Sequence, residues 1–380
     1  MRTTARLLGL LLLQACSTPG YNPDAATGNS GPLLRGTVGD STGQPLAGAV
    51  VSIEGTQVTT SDTGEFEMTA VPGMAVVRFG ADGFSEAVRR VTIDADAPSY
   101  VDVRMRNRGA VNTVNLPGAG ETVTVLDGTM QLDLAGGSLC TPDNLPATGS
   151  VDVTLTAYSA DDQQVMPSDL ETTDGGQLVT AGMGAVTASQ NDVGLKVCGD
   201  GSGLTFMSPQ FGDLNPNDYR HYILDQQGLW QDVGTGTVDG TSGAWTAGLR
   251  NLGVHNIDVP ATDATLTGTV TDAFGRGIAG VRLDTVIHLS RPAYRTAWTS
   301  GSGSYIMYPT TPHGRDPMTV TMQPFAYPQD QVPTVTSTNI TLNTNQVGTV
   351  NFNLCLSRLG SCGGGGQCCS GMSCDDNVCR

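Results

Sequence analysis

Lysine is almost missing from this chain. Of its 380 residues 19 are basic, and Lys196 is the one lysine among them. Acidic residues number 36, so the formal charge is −17, which does not suit nucleic-acid phosphates or an anionic membrane surface met through a basic patch. Four histidines leave little material for acid/base or metal work. Aromatic residues make up 5% and charged residues 14%, whereas 50 glycines and 20 prolines supply more turn chemistry than a helical protein tolerates. The apolar run Leu7–Leu13 is too short to span a bilayer as a helix. What is present is alternation: apolar residues recur at every second position along most of the chain, which excludes wholesale disorder and favours strands. At about 150 residues per domain the length points to two or three domains. No cofactor is expected.

The N-terminus sets the compartment. Arg2 and Arg6 precede the apolar run, and Leu13-Gln14-Ala15-Cys16 follows: a charged region, a short apolar region and a small residue before a cysteine. This resembles a bacterial lipoprotein signal, which implies removal of residues 1–15, a diacylglycerol on Cys16 and a membrane partner reached through that lipid. Ser17 and Thr18 resemble the sorting context of outer-membrane lipoproteins, so the expected location is the cell outer membrane, surface-exposed or periplasmic. The alternative is an ordinary secretory signal that leaves Cys16 as an odd thiol.

Nine cysteines less Cys16 leave eight, an even number suited to an oxidising compartment. Cys140 and Cys198 stand alone in the middle of the chain. The other six, Cys355, Cys362, Cys368, Cys369, Cys374 and Cys379, crowd the last 26 residues. Four disulfides are expected. A metal site would want CxxC pairs or nearby histidines, and the tail offers neither.

The chain also repeats itself. Residues 34–51 (LRGTVGDSTGQPLAGAVV) and 266–283 (LTGTVTDAFGRGIAGVRL) align without a gap. Leu34, Gly36, Thr37, Val38, Asp40, Gly43, Ala47 and Gly48 recur as Leu266, Gly268, Thr269, Val270, Asp272, Gly275, Ala279 and Gly280. Each copy reads as a strand, a tight turn and a second strand. A further turn follows at 60–64 in the first copy and at 299–303 in the second, leading to alternating Phe66/Met68 and Tyr305/Met307. These residues resemble the carboxypeptidase regulatory-like, or transthyretin-like, domain. The resemblance implies a seven- or eight-stranded β-sandwich, an accessory rather than catalytic role, and packing positions for Phe66 and Tyr305. No HxxE, HExxH or CxxC pair accompanies it, and no enzyme activity is expected.

Residues 108–260 are organised separately, with strand-like runs such as Val151-Asp152-Val153-Thr154-Leu155 broken by Gly, Asn and Pro turns. The stretch Tyr222–Gly234, the hairpin Gly243-Ala244-Trp245 and the closing run Asn251–Asp258 resemble the β-rich module beside transthyretin-like domains in bacterial surface proteins and cartilage intermediate layer proteins. A Cys140–Cys198 disulfide would close a loop of about 60 residues within it. Trp230, Trp245 and Trp298 are candidate glycan contacts, since an aromatic face beside Asp and Asn is what sugar binding needs. The competing reading puts Trp230 and Trp245 in the core. Asp225 and Asp232 read as turn formers. His255 beside Asn256 and Asp258 suggests a general base, but no Ser or Cys nucleophile has motif context, and a lone strand histidine is usually structural. The acidic pairs Asp94/Asp96, Asp161/Asp162 and Asp375/Asp376 lack the spacing of a calcium loop and read as solvated surface.

The tail spacing, C-x6-C-x5-CC-x4-C-x4-C, leaves fifteen pairings open. It resembles the inhibitor cystine knot, or knottin, and that resemblance implies Cys355–Cys369, Cys362–Cys374 and Cys368–Cys379. So short a unit depends on its disulfides, at roughly 3 kcal/mol each.

The expected fold class is all-β: tandem transthyretin-like β-sandwiches flanking a β-rich module, with a small disulfide-rich C-terminal knot. The boundaries are a signal peptide at 1–15, a tether at 16–31, sandwiches at 32–107 and 261–354 on either side of the module at 108–260, and the knot at 355–380. Laid end to end, these make a lipid-anchored rod. The expected function is a non-catalytic cell-envelope lipoprotein with a structural, adhesive or scaffold role, its partners an envelope protein or glycan. The alternative is an accessory lipoprotein for carbohydrate binding or degradation that works through exposed tryptophans.

Overall fold

The computed structural model describes residues 32–354, apart from 119, 159–164, 212–214, 272–274, 279, 289–292, 313–317, 326–337 and 344, together with 374–375 and 378–379. The chain is all-β. The signal, the tether, Cys16, Asp161/Asp162 and most of the knot lie outside the described residues. Of the tail, two short strands pair antiparallel, with Cys374 opposite Cys379 in backbone register.

The first sandwich holds β1 (Leu33–Asp40), β2 (Val50–Ile53), β3 (Thr56–Thr59), β4 (Glu65–Thr69), β5 (Gly73–Gly80), β6 (Ala87–Ile93) and β7 (Ser99–Met105). One sheet runs β4-β1-β7 and the other β3-β2-β5-β6. Alternation sets which residues face inward. Leu34 and Val38 of β1 and Phe66 and Met68 of β4 turn into a core shared with Val51, Val77, Phe79 and Val103, while Glu65 and Glu67 face solvent. β1 pairs parallel with β7, so the first and last strands of the sandwich are neighbours.

The middle module comprises β8 (Val111–Asn115), β9 (Thr122–Asp127), β10 (Met130–Ala135), β11 (Leu139–Cys140), β12 (Ser150–Tyr158), β13 (Gln177–Gln190), β14 (Val193–Gly194), β15 (Lys196–Val197), β16 (Gly203–Phe206), β17 (Arg220–Leu224), β18 (Trp230–Thr235), β19 (Thr237–Val238), β20 (Trp245–Gly248) and β21 (Gly253–Asp263). A broad sheet, β18-β17-β21-β13-β12-β8, faces a second one, β19-β20-β16-β10-β9. Between them lies a core of Leu132, Leu155, Leu204, Trp245, Ile257 and their neighbours. A smaller cluster, Met166, Leu170, Leu178, Met183, Tyr222 and Trp230, covers the other face of the broad sheet. β11 and β15 pair beside the Cys140–Cys198 disulfide, whose Cα atoms are 5.7 Å apart.

The second sandwich holds β22 (Thr265–Thr271), β23 (Arg282–His288), β24 (Ala293–Trp298), β25 (Ser304–Met307), β26 (Thr310–Pro312), β27 (Met318–Phe325), β28 (Thr338–Leu342), β29 (Val347–Thr349) and β30 (Phe352–Asn353). Its sheets, β25-β22-β29 with β30 continuing along β22, and β24-β23-β27-β28, repeat those of the first copy strand for strand. The repeated residues explain why. A Cβ on Gly36 would lie 1.8 Å from the Val101 carbonyl oxygen and 2.8 Å from the Phe66 ring. On Gly268 it would lie 1.8 Å from the Val350 oxygen and 2.8 Å from the Tyr305 hydroxyl. Each glycine therefore lets an aromatic ring lie against the parallel seam. Thr60 and Thr299 close the same corner: each hydroxyl accepts from the Ala49 or Val281 N–H at 2.9 Å and donates to the Leu46 or Ile278 carbonyl at 2.5 and 2.7 Å.

The sandwiches are not merely strung on either side of the middle module: they touch each other as well as it. Trp298 stacks on Tyr100 with ring centroids 5.9 Å apart and planes inclined by 23°. Arg282 donates to Asp102 at 3.3 Å. Along β6 of the first sandwich, the Val88 N–H donates to the Pro167 carbonyl at 2.6 Å, Arg89 donates to the Met166 carbonyl at 2.9 Å, and Arg90 pairs with Glu171 at 3.1 Å. β21 leads into β22 across the single residue Ala264, and its last residues pair with β26. Side chains on outer strand faces do this docking, and alternation alone does not reveal their partners.

Candidate functional site

The titratable groups singled out in the sequence sit in the broad sheet of the middle module. On β21, His255 and Ile257 face one way and Asn256 and Asp258 the other. β17 lies alongside, with His221 opposite Ile257 in register. The His221 Nε2 and His255 Nδ1 atoms are 3.0 Å apart, the rings stack at 5.2 Å, and His221 meets the edge of Trp245 at 5.9 Å. Both imidazoles are buried. Burial pulls His221 down to about 4, with the Arg250 charge adding to it, and pulls His255 down to about 3, with His221 adding to it. Both are therefore neutral at pH 7, one donating to the other. Among the described residues no Ser or Cys side chain hydrogen-bonds to either ring.

The opposite face carries a second polar cluster. The Thr180 hydroxyl donates to Asn256 Oδ1 at 2.5 Å, and Asn256 Nδ2 donates to Asp258. All three residues are buried beside Tyr222, whose hydroxyl is pushed up by burial first and by nearby Asp232 and Asp258 second. The sheet itself lies between the imidazole pair and the carboxylate, so the His255–Asn256–Asp258 sequence does not assemble into a proton relay. His255 is not lone, as the sequence suggested. Its partner His221 lies in β17, and only the strand pairing reveals it.

Trp230 and Trp245 are 0% and 1% exposed, which corrects their candidacy as glycan contacts. Each plugs one of the two middle-module cores, and the Trp230 indole N–H donates to the Asp169 carbonyl at 2.8 Å. Trp298 has one face covered by Tyr100. Asp225 is a turn former, accepting from the Gln227 and Leu229 N–H groups at 2.8 and 2.9 Å. Asp232 lies within β18, where it pairs with Arg220 and also accepts from the Gly234 N–H at 2.9 Å. Asp94 accepts from the Asp96 N–H at 2.9 Å in a local turn.

A different polar constellation, which the sequence did not announce, lies where the three modules meet. A cavity of about 310 Å3 is walled by Arg89, Asp102 and Arg104 of the first sandwich, Met166, Ser168–Leu170 and Gln177 of the middle module, and Arg282, Asp284 and Ile306–Tyr308 of the second sandwich. Arg282 spans Asp102 and Asp284, at 3.3 and 3.0 Å. Burial pushes the Asp102 carboxyl up, opposed by the Thr37 hydroxyl and by Arg282. Arg89, pulled down by burial, reaches Asp169 at 3.8 Å.

Paired sheets around four hydrophobic cores among the described residues, two of them in the middle module, define a multi-module β-sandwich protein. Within it, residues 34–106, the first sandwich, match the carboxypeptidase regulatory-like domain family. No curated protein matches the chain by sequence. Among solved structures, the Bacillus anthracis TIE protein is similar at 12% identity and a TM-score of 0.19, covering 86% of this chain and 51% of its own, so the chain spans about half its length. BcpA, the major pilin subunit of Bacillus cereus, is similar at 10% identity and a TM-score of 0.19, with 86% and 99% covered. A putative carbohydrate binding protein from Bacteroides uniformis ATCC 8492 shows 13% identity and a TM-score of 0.17, with 42% and 91% covered. Likenesses this distant assign no activity to the chain. Among the described residues no helix is long and apolar enough to cross a membrane.

Proposed function

We propose that this is a non-catalytic cell-envelope lipoprotein, held in the outer membrane through Cys16, whose folded modules serve a structural, adhesive or scaffold role. The observation that carries this reading is the docking of the three modules. Arg282 with Asp102, Arg90 with Glu171, Trp298 with Tyr100 and the continuous β21–β22 run commit charged and aromatic groups to holding the modules against one another. His255, the chemically most capable group singled out in the sequence, is sealed in a core together with His221. The signal-like N-terminus and the accessory nature of the first-sandwich family point the same way. The alternative of glycan binding through exposed tryptophans loses its platform, since two of the three are core residues.

Mass spectrometry of the protein recovered from cells tests the anchor: an acylated Cys16 at the mature N-terminus is expected, and an unmodified N-terminus elsewhere overturns it. Assays of the purified protein against peptide, ester and glycoside substrates test the non-catalytic role. Hydrolysis that disappears in His255→Ala would sink it.

A further inference from the structure

We infer that the three-module cavity is a binding site for a small ring-bearing carboxylate, held by Arg104 and by an apolar wall of Ile306 and Tyr308. This goes beyond the proposed function and stands whether or not the chain carries a lipid.

Charge is the first observation. Arg282 is committed to Asp102 and Asp284, and Arg89 to the Met166 carbonyl and Asp169. Arg104, two residues along β7 from Asp102 and on the same face, lines the same cavity and carries no ion pair among the described residues. An arginine without a partner presents a planar fork of donors that matches a carboxylate in two-point fashion.

The apolar wall is the second, and the internal repeat makes it legible. On β4 of the first copy the outward positions are Glu65, Glu67 and Thr69, with Glu67 paired to Arg35 at 2.6 Å. The matching positions of the second copy are Ser304, Ile306 and Tyr308. Ile306 is 52% and Tyr308 45% exposed, and both line the cavity. An ordinary solvent-facing strand needs no such residues, as the first copy shows. Here they give a ring something to lie on. Gln177 and Asp169 add polar atoms on the middle-module side, suited to hydroxyl groups. The volume fits a ligand at the small end of the usual range, about the size of one sugar ring.

Arg282 acts here as a positioning residue: it ties Asp102 of one sandwich to Asp284 of the other and so keeps the walls together. The site is thus a product of docking and would not exist in an isolated module.

Isothermal titration calorimetry on the purified full chain, with glucuronate, cyclohexanecarboxylate and glucose as probes, tests the assignment. Saturable binding of at least one carboxylate is expected, with glucose at least about tenfold weaker because it lacks the charge. The tighter of the two acids tells a sugar acid from a plain apolar acid. Arg104→Gln should weaken binding about tenfold or more, and Tyr308→Ala several-fold, with unfolding midpoints unchanged because both side chains face the cavity. If neither carboxylate binds, if glucose binds as tightly, or if Arg104→Gln binds like the parent, the assignment is overturned.

Discussion

The two sandwiches share a topology and differ in what their outer faces do. In both, a glycine clears room for an aromatic ring at the parallel seam, and a threonine hydroxyl bridges a turn to a strand. The divergence is outside. Val50 of the first copy becomes Arg282, Glu67 becomes Ile306, Thr69 becomes Tyr308, and Asp102 becomes Asn351, which still accepts from the Thr269 hydroxyl at 3.1 Å as Asp102 accepts from Thr37. Interior and turn positions are fixed by sterics that leave few choices. Outer faces are free to specialise, and here the contact between copies is heterologous: the β7 face of one meets the β23–β24 face of the other.

The largest test of this equivalence is at the glycines. Gly36→Ala and Gly268→Ala each force a methyl onto a backbone carbonyl and should each cost roughly 3 kcal/mol or more in denaturant unfolding, by similar amounts. Markedly unequal losses would show that the two seams are not built alike.

Acid should then separate the middle module from both sandwiches. The histidine pair is held neutral when folded, at about 4 and 3, but titrates near 6.5 when unfolded. Folding stability is thus full above pH 6.5 and falls as pH drops from there towards 4 and 3, because the unfolded chain binds the extra protons. Trp245 lies against His221, so its fluorescence should report urea midpoints that decline over this range, and His221→Phe/His255→Leu should flatten the decline. Parent midpoints that stay level between pH 6.5 and 4 would mean that the pair is not sealed from solvent.

Next in size are the bridging threonines. Thr60→Val and Thr299→Val leave a buried N–H and carbonyl without a partner and should each cost about 1–3 kcal/mol by calorimetry. The smallest effect belongs to the contact that differs most between copies. In a double-mutant cycle, Arg282→Ala and Asp102→Asn should couple by about 1 kcal/mol, weakening with salt, since both side chains are only partly shielded from water. A coupling of zero would leave the docking to the stacked Trp298 and Tyr100 rings and the close approach of Gly301 to Ala97.

Much of the fold could be read from particular residues. The Leu34/Gly36/Val38 and Leu266/Gly268/Val270 alternations specify inward faces, and the turn glycines place the corners, so both sandwiches were legible. Cys140 and Cys198 stood apart from the crowded tail, and the structure pairs them. Asp225 was legible because an Asx turn is local. The His221–His255 contact was not, because it joins strands 34 residues apart in the chain and neither histidine carries a motif. The Arg282–Asp102 pair spans 180 residues between two solvent-patterned faces, which in sequence look like ordinary surface. That is why the modules read as a rod and why the cavity between them went unseen.

The parallel pairing of β1 with β7 has a mechanical consequence. The chain enters the first sandwich at the start of β1 and leaves it at the end of β7, and the two strands point the same way through seven consecutive register pairs. A pull on the two ends of this module therefore tries to slide one strand along the other, loading the rungs of the ladder together instead of unzipping them one at a time. The second sandwich repeats the geometry where β22 runs parallel to β29 and β30. Under the proposed anchoring at Cys16, a pull on the far end of the chain would meet its resistance at these two seams first.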